Sequence, residues 1–183
     1  TLNEWGVLKT SCVNNGIYNS KENKTLPNSI QPFVQYEVKN KDILMSRASG
    51  SINLIGSVAY VYKTRSKILL SDKIFRIYVD KSVSEIFFTY VMGSNYMRTY
   101  IKRSISGGEG MANNIAKSSI TKFKIALPSI EEQKLILQYI NDKTSKIDTL
   151  ITKSTQAIVL LKEKRTALIS AAVTGKIDVR EAA

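Results

Sequence analysis

PSIEEQKLILQYINDKTSKIDTLITKSTQAIVLLKEKRTALISAAVTG, residues 128–175, decides the architecture. Ser129, just after Pro128, stands three positions before Glu132. This has the form of a capping box, in which hydroxyl and carboxylate each satisfy a free backbone N–H of the other residue. A helix starts there. No Gly or Pro interrupts it before Gly175, a natural stop, so roughly 43 residues make a rod of about 65 Å at 1.5 Å per residue. Alternating steps of three and four from Leu137 pass through Ile140, Thr144, Ile147, Ile151, Ser154, Ile158, Leu161, Arg165, Leu168 and Ala172. That is a heptad seam, apolar except at three polar positions. Lys146, Asp148, Lys153, Lys162, Glu163 and Lys164 flank it, as on a solvated helix that meets a partner along one stripe. Residues 128–183 therefore read as a coiled-coil spacer and assembly element.

Upstream, residues 1–127 read as one small mixed α/β domain, which makes the fold class α+β. DILMSR (42–47), SVAYVY (57–62) and KIFRIYVD (73–80) are rich in β-branched and aromatic residues and are expected to be strands. ASGSINLIG (48–56) joins the first two as a loop. After Asp80 the period changes: Val83, Ile86, Phe87, Tyr90 and Val91 fall at helical spacing, with Ser82 as N-cap and Gly93 as stop. A second helix is expected over 96–105, then the glycine-rich segment SGGEGMANN (106–114), then a last strand KFKIAL (122–127).

Charge and composition narrow the function. The chain carries 27 Lys and Arg against 15 Asp and Glu, a net +12, and that sign attracts polyanions. Residues 1–127 hold 18 basic and 8 acidic side chains (+10), and residues 128–183 hold 9 and 7 (+2). The excess lies in the first part, which suggests a binding domain followed by an assembly element. With no His and one Cys there is no Ser-His or Cys-His pair and no zinc site built on them. Neither a catalytic residue nor a metal nor a cofactor is expected. The run GGEG (107–110) lacks the Lys and Ser or Thr of a Walker loop, and it is not a dinucleotide fingerprint either. Glu22-Asn23-Lys24 and Glu132-Gln133-Lys134 have the acid-x-Lys form of metal nucleases, a tripeptide common by chance. No apolar run is long enough for a membrane span and the first residues lack signal-peptide order, so a cytoplasmic location is expected.

The polyanion could be nucleic acid or an anionic membrane; for nucleic acid, several segments are candidates for the contact. Over 96–104, Arg98, Lys102 and Arg103 interleave with Tyr96 and Tyr100, and no acid lies between Glu85 and Glu109. Arg98 and Lys102 share a helix face suited to phosphates or a guanine edge. Arg47, Ser49, Ser51 and Asn53 sit at a strand end and loop; Asn pairs with adenine N6 and N7, although ordinary turn chemistry accounts for these residues nearly as well. Gly108, Asn113 and Asn114 offer backbone N–H groups and amides, and a turn alone would explain the glycines. Lys63, Arg65 and Lys67 form a basic cluster assigned to phosphate positioning.

These residues carry a family resemblance. IALPSIEEQKLILQYINDKTSKIDTLI and LLKEKRTALISAAVTGKIDV resemble the shared helical region of type I restriction-modification specificity subunits, through Pro128, Glu132 and Gln133, KID (146–148), KEKR (162–165) and TGKID (174–178). The upstream part is similar to a target recognition domain of that family, through Glu4 and Trp5, DILMSR with its loop and NLIG, and SGGEGMANNI. The resemblance implies a non-catalytic reader of double-stranded DNA. In it, recognition domain and spacer helix form one unit of a pair, and the spacers form an antiparallel coiled coil through Leu137, Ile140, Ile147, Ile151, Ile158, Leu161, Leu168 and Ala172. The second unit is either the other half of a longer subunit or a second copy of the chain. It further implies methyltransferase subunits docked on the helical spacer and recognition domains, and a motor-nuclease subunit joining that complex. A rod between two such domains makes the target bipartite, and identical units make it an interrupted palindrome. The alternative is a free-standing basic coiled-coil DNA-binding protein such as a transcriptional repressor, which would bind its operator alone.

Overall fold

The run that reads DILMS forms the centre of the fold. In the computed structural model, residues 4–107, 113–177 and 180 are described. Along the chain these form β1 (Gly6–Leu8), β2 (Asn23–Thr25), β3 (Ile43–Ser46), β4 (Val58–Tyr60), β5 (Ile68–Leu69), β6 (Ile74–Ile77), α1 (Glu85–Gly93), α2 (Asn95–Arg103), β7 (Ile105–Ser106), β8 (Asn114–Ile115), α3 (Lys117–Ile120) and α4 (Ile130–Val173). Strand β3 lies between β4 and β6, antiparallel to both, with Leu44 opposite Ala59 on one side and Arg76 on the other. All four of its residues are buried, which is why its first three, Ile43, Leu44 and Met45, read as a continuous apolar run and not as an alternation. Successive side chains point to opposite faces of a strand, and here each face feeds its own core. Leu44 and Ala59 pack with Leu8, Cys12, Val13 and Ile68, whereas Ile43, Met45 and Val58 pack with Ile55, Met92, Met97, Ile101 and Ile115. Burial in the first core pushes the Cys12 thiol up to about 12, so it behaves as a small hydrophobe. A second sheet, β2-β1-β5, pairs β1 antiparallel with β2 and parallel with β5.

Three elements differ from the sequence reading, the first being the second helix, expected over 96–105, which ends at Arg103 because Ile105 pairs with Ile115 in β7. Helix α1 is capped by Ser84, whose Oγ accepts from Phe87 N at 3.4 Å, and not by Ser82. Asp80 explains the shift: its Oδ1 accepts from both the backbone N–H and the hydroxyl of Ser82, each at 3.0 Å. Those two hydrogen bonds hold the Asp80 carboxyl below its usual range and fix a turn, so the helix begins two residues later. Residues 122–127 are not a strand. Their alternation is real, since Phe123 and Ile125 pack on the second core while Lys122 and Lys124 stay exposed. They make this contact through side chains and not through a backbone ladder, and alternation in sequence cannot tell the two apart.

The chain divides into two compact units, Thr1–Lys134 and Leu135–Ala183. The start of α4 thus belongs with the first unit, and its capping box forms as read: Glu132 Oε2 accepts from Ser129 N at 2.9 Å, and Ser129 Oγ accepts from Glu132 N at 3.3 Å. Next to it Gln133 is fully buried. Its Oε1 accepts from Ser84 N at 2.8 Å, and its Nε2 donates to the carbonyls of Ser82 and Pro128, both at 2.9 Å. Helix α4 runs for 44 residues and ends in a Schellman motif. There Lys176 N donates to Ala171 O, Gly175 N donates to Ala172 O, and Gly175 takes the left-handed φ of +72° that the motif requires. The architecture is α+β with a long C-terminal helix. Among the described residues no helix is long and apolar enough to cross a membrane.

Candidate nucleic-acid interface

The loop between β3 and β4 is built on a buried hydroxyl. Ser46 is completely buried; its Oγ donates to Leu54 O at 2.8 Å and accepts from Ser57 N at 3.1 Å. Its backbone pairs with Ser57 O and Gly56 N, both at 2.9 Å, which closes the loop at its base. Inside, Leu54 N donates to Ser51 O in a single 3-10 turn over Ile52–Leu54, and Ile55 is buried as an anchor in the second core. What faces solvent is the tip: Arg47, Gly50, Ser51, Ile52 and Asn53, with Ser49 half-buried. Gly56 has φ +73°, and a Cβ there would sit 2.6 Å from Ile101 Cγ2 and 3.2 Å from Met45 Cε. Both the backbone conformation and the space demand glycine. Gly56→Ala is expected to cost about 1–3 kcal/mol of stability, read as a lower urea midpoint at unchanged slope.

The second candidate loop adjoins the first. Ser106 pairs with Asn114 and Ile105 with Ile115 in the β7–β8 hairpin. On its other side the second hairpin strand meets the β3 end, through an antiparallel bridge between Ala48 and Asn114 and a 2.9 Å hydrogen bond from Ile115 N to Arg47 O. Arg47 and Ser49, on either side of Ala48, thus lie beside the half-buried Asn114 across a long-range pairing, while Ser51 and Asn53 stand further along the same loop. Gly107 at the hairpin mouth has φ +144°, with Asn113 Oδ1 only 2.5 Å from where a Cβ would stand. Gly108 lies outside the described residues.

Helix α2 sits against the first loop, and its basic residues divide. Arg98 reaches back: Nη1 donates to Ile55 O at 2.7 Å, and Nη2 donates to Asn53 O at 2.9 Å and to Ile52 O at 3.4 Å. Partial burial lowers its pKa from the ordinary arginine value, yet arginine stays charged throughout the physiological range. The expected face shared by Arg98 and Lys102 is therefore not a pair of free cations, because the Arg98 donors lie on backbone carbonyls. Lys102 and Arg103 are exposed in the last turn of α2, where positive charge also suits the helix dipole. Tyr96 and Tyr100 are exposed one turn apart, with hydroxyls 3.2 Å and ring centroids 5.0 Å from each other.

Lys63, Arg65 and Lys67 stand on the segment joining β4 to β5, whose hydrogen bonds run to other parts of the first unit. Thr64 N donates to Asn40 Oδ1, Lys67 N donates to Glu37 Oε1, and Arg65 Nη1 donates to the carbonyls of Glu4 and Ser66. Lys63 is exposed. Two features escaped the sequence reading. The Arg47 guanidinium lies 5.8 Å from the centroid of the Phe75 ring, which steadies it at the loop's edge. A groove of about 710 Å³ opens beside the loop, lined by Asn53, Arg98, Ile17, Tyr60, Tyr62 and Tyr90 among others. The tyrosine count was the signal available for it. Among the described residues no group of three or more His, Cys, Asp or Glu could hold a metal ion.

In unit 2, Leu137 and Ile140 are half-buried, and Ile147, Ile151, Ile158, Leu161, Leu168 and Ala172 are exposed along α4.

Known proteins similar to this chain fall in one group. It is 39% identical over 139 residues to the type I restriction enzyme EcoEI specificity subunit of Escherichia coli, covering 75% of this chain and 23% of that protein. It is 25% identical over 173 residues to the StySPI specificity subunit of Salmonella potsdam (93% and 36% covered), and 24% identical over 179 residues to the EcoKI specificity subunit of Escherichia coli K12 (95% and 38%). The chain thus spans well under half the length of these relatives. Residues 3–159, from the first strand through the middle of α4, match the family model of the type I restriction modification DNA specificity domain, and the chain belongs to that family.

Proposed function

We propose that this chain reads double-stranded DNA sequence as the specificity subunit, or one half of it, of a type I restriction-modification complex. It carries no catalysis of its own and directs methylation and cleavage by partner subunits to a bipartite target. One observation carries the reading: the Ala48–Asn114 bridge sets the exposed 47–53 loop beside the half-buried Asn114 in the domain that holds the excess positive charge. Arg47, Ser49, Ser51, Asn53, Asn113 and Asn114 supply donors and acceptors for base edges in the major groove. Lys63, Lys102 and Arg103, with Arg65 and Lys67, position phosphates, and Tyr96 and Tyr100 present hydroxyls and ring faces beside them. The seam from Leu137 to Ala172 pairs, antiparallel, with the matching helix of a second half or a second copy. Methyltransferase subunits and a motor-nuclease subunit assemble on that frame.

The test mixes the chain with its methyltransferase subunits and methyl donor, modifies random DNA and maps the methylated positions. The expected result is one bipartite site, an interrupted palindrome if two copies pair. Tight sequence-specific binding by the chain alone, with no methylation directed by it, would overturn the reading in favour of a repressor.

A further inference from the structure

Arg98 is a cation whose donors point into the protein, and what they hold is the loop whose tip bears Ser51 and Asn53. Carbonyls of Ile52, Asn53 and Ile55 converge on one guanidinium, at 3.4, 2.9 and 2.7 Å. Left alone, three carbonyl oxygens facing one point repel one another, and a 3-10 turn of three residues has little hydrogen bonding to resist opening. The other supports are Ser46 and Ser57, whose hydroxyls both donate to Leu54 O at 2.8 Å. Every carbonyl from residue 52 to 55 is therefore held, those of 52, 53 and 55 by the planar fork and that of 54 by serine hydroxyls, while the side chains of Ile52 and Asn53 are exposed on it. A guanidinium fits this task because its donors are fixed in a plane, whereas an ammonium is a point charge on a flexible stem.

We propose that Arg98 is a positioning residue for base reading: it preorganises the 51–55 turn and thereby sets sequence discrimination, without itself touching DNA. The proposal rests on the reading that this loop contacts bases. Misplacing a reading side chain by about an ångström costs discrimination more than affinity, because phosphate contacts carry most of the latter.

Arg98→Lys separates the possibilities, since lysine keeps the charge a phosphate would need but carries all its donors on one nitrogen and cannot reproduce the fork that spans Ile55 O and Asn53 O from two. In the full chain the variant is expected to speed amide exchange at Leu54 and Gly56 at least tenfold. In the complex with methyltransferase subunits it is expected to cut the preference for the native site over single-base variants by about tenfold, with the salt dependence of DNA binding unchanged. Asn53→Ala, run in parallel, is expected to relax the site at one position while leaving amide exchange alone. If Arg98→Lys leaves both exchange and site preference intact, Arg98 is a phosphate contact and the proposal falls. If exchange rises but neither variant alters the site, the clamp exists while the loop does not read bases, which overturns the proposal through the reading beneath it. If Arg98→Lys fails to fold, Arg98→Gln with the same exchange and preference measurements replaces it, since glutamine still donates to one carbonyl.

Discussion

A chain carrying Ile151→Asp and Leu161→Asp is expected to lose the proposed pairing of α4 with a matching helix, while unit 1 keeps its thermal transition. In the unpaired helix Ile151 and Leu161 are 58% and 64% exposed, so pairing covers only that remaining part of each side chain. Burying it contributes about 1–2 kcal/mol per residue, since full burial of such a side chain is worth about 1.5–3 kcal/mol. The larger effect is charge. A carboxylate placed in an apolar seam has no partner and must be desolvated, at a cost of several kcal/mol. Leu161→Asp alone has a partial escape, because Arg165 lies one turn on and such a pair recovers roughly 0.3–0.5 kcal/mol. Ile151→Asp has no such neighbour, since Thr155 stands at that position. With the two together the loss exceeds about 5 kcal/mol, or at least roughly a thousandfold in affinity. Light scattering then reads the mass of the unpaired chain at concentrations where the parent is paired. A variant that still scatters as the pair would place the interface on another face of α4.

The parts of this fold that were legible in the sequence are those fixed by local chemistry. Ser129, Glu132 and Gly175 bound α4 because cap geometry needs particular residues at particular spacings, and both caps form through the bonds those residues imply. Strand β3 was legible because a strand buried on both faces reads as a continuous apolar run, here Ile43–Met45, ended by the hydrogen-bonded Ser46. Strands β1, β2 and β5 were not, for each has only two or three residues and, unlike β4 inside SVAYVY, none sits in a longer alternating run. The site divides in the same way. Residue types pointed to the 47–53 and 113–114 loops, but their meeting through Ala48 and Asn114 is a long-range pairing with no local signal. Arg98 is the sharpest case. Its neighbours in sequence are Tyr, Lys and Arg, which suggest an exposed basic face, and its real partners lie 43 to 46 residues earlier as backbone carbonyls that any sequence supplies. A sequence reports that a charge is present; its direction is decided by packing.

Gln133→Leu is expected to destabilise unit 1 by about 3–5 kcal/mol, a large part of the roughly 5–15 kcal/mol that holds a typical domain folded. The reason is what the substitution leaves behind. Leucine has nearly the volume of glutamine, so no large cavity opens, but Ser84 N–H and the carbonyls of Ser82 and Pro128 all lose their partner. Each polar group left unsatisfied away from water costs about 1–3 kcal/mol, whereas an ordinary hydrogen bond is worth only about 1 kcal/mol net. The orphaned groups therefore dominate. They also lie at a junction. Ser84 takes the Gln133 amide with its backbone and caps α1 with its side chain, Ser94 links α1 to α2, and α2 carries Arg98. Loosening the amide is thus expected to raise exchange at the start of α1 as well as at α4. Gln133→Glu sharpens the test, since a carboxylate still accepts from Ser84 N but faces two carbonyls with no proton to give them. It is expected to be as damaging as leucine at neutral pH. Urea unfolding that places either variant within about 0.5 kcal/mol of the parent would mean that water reaches these groups and that the amide is dispensable.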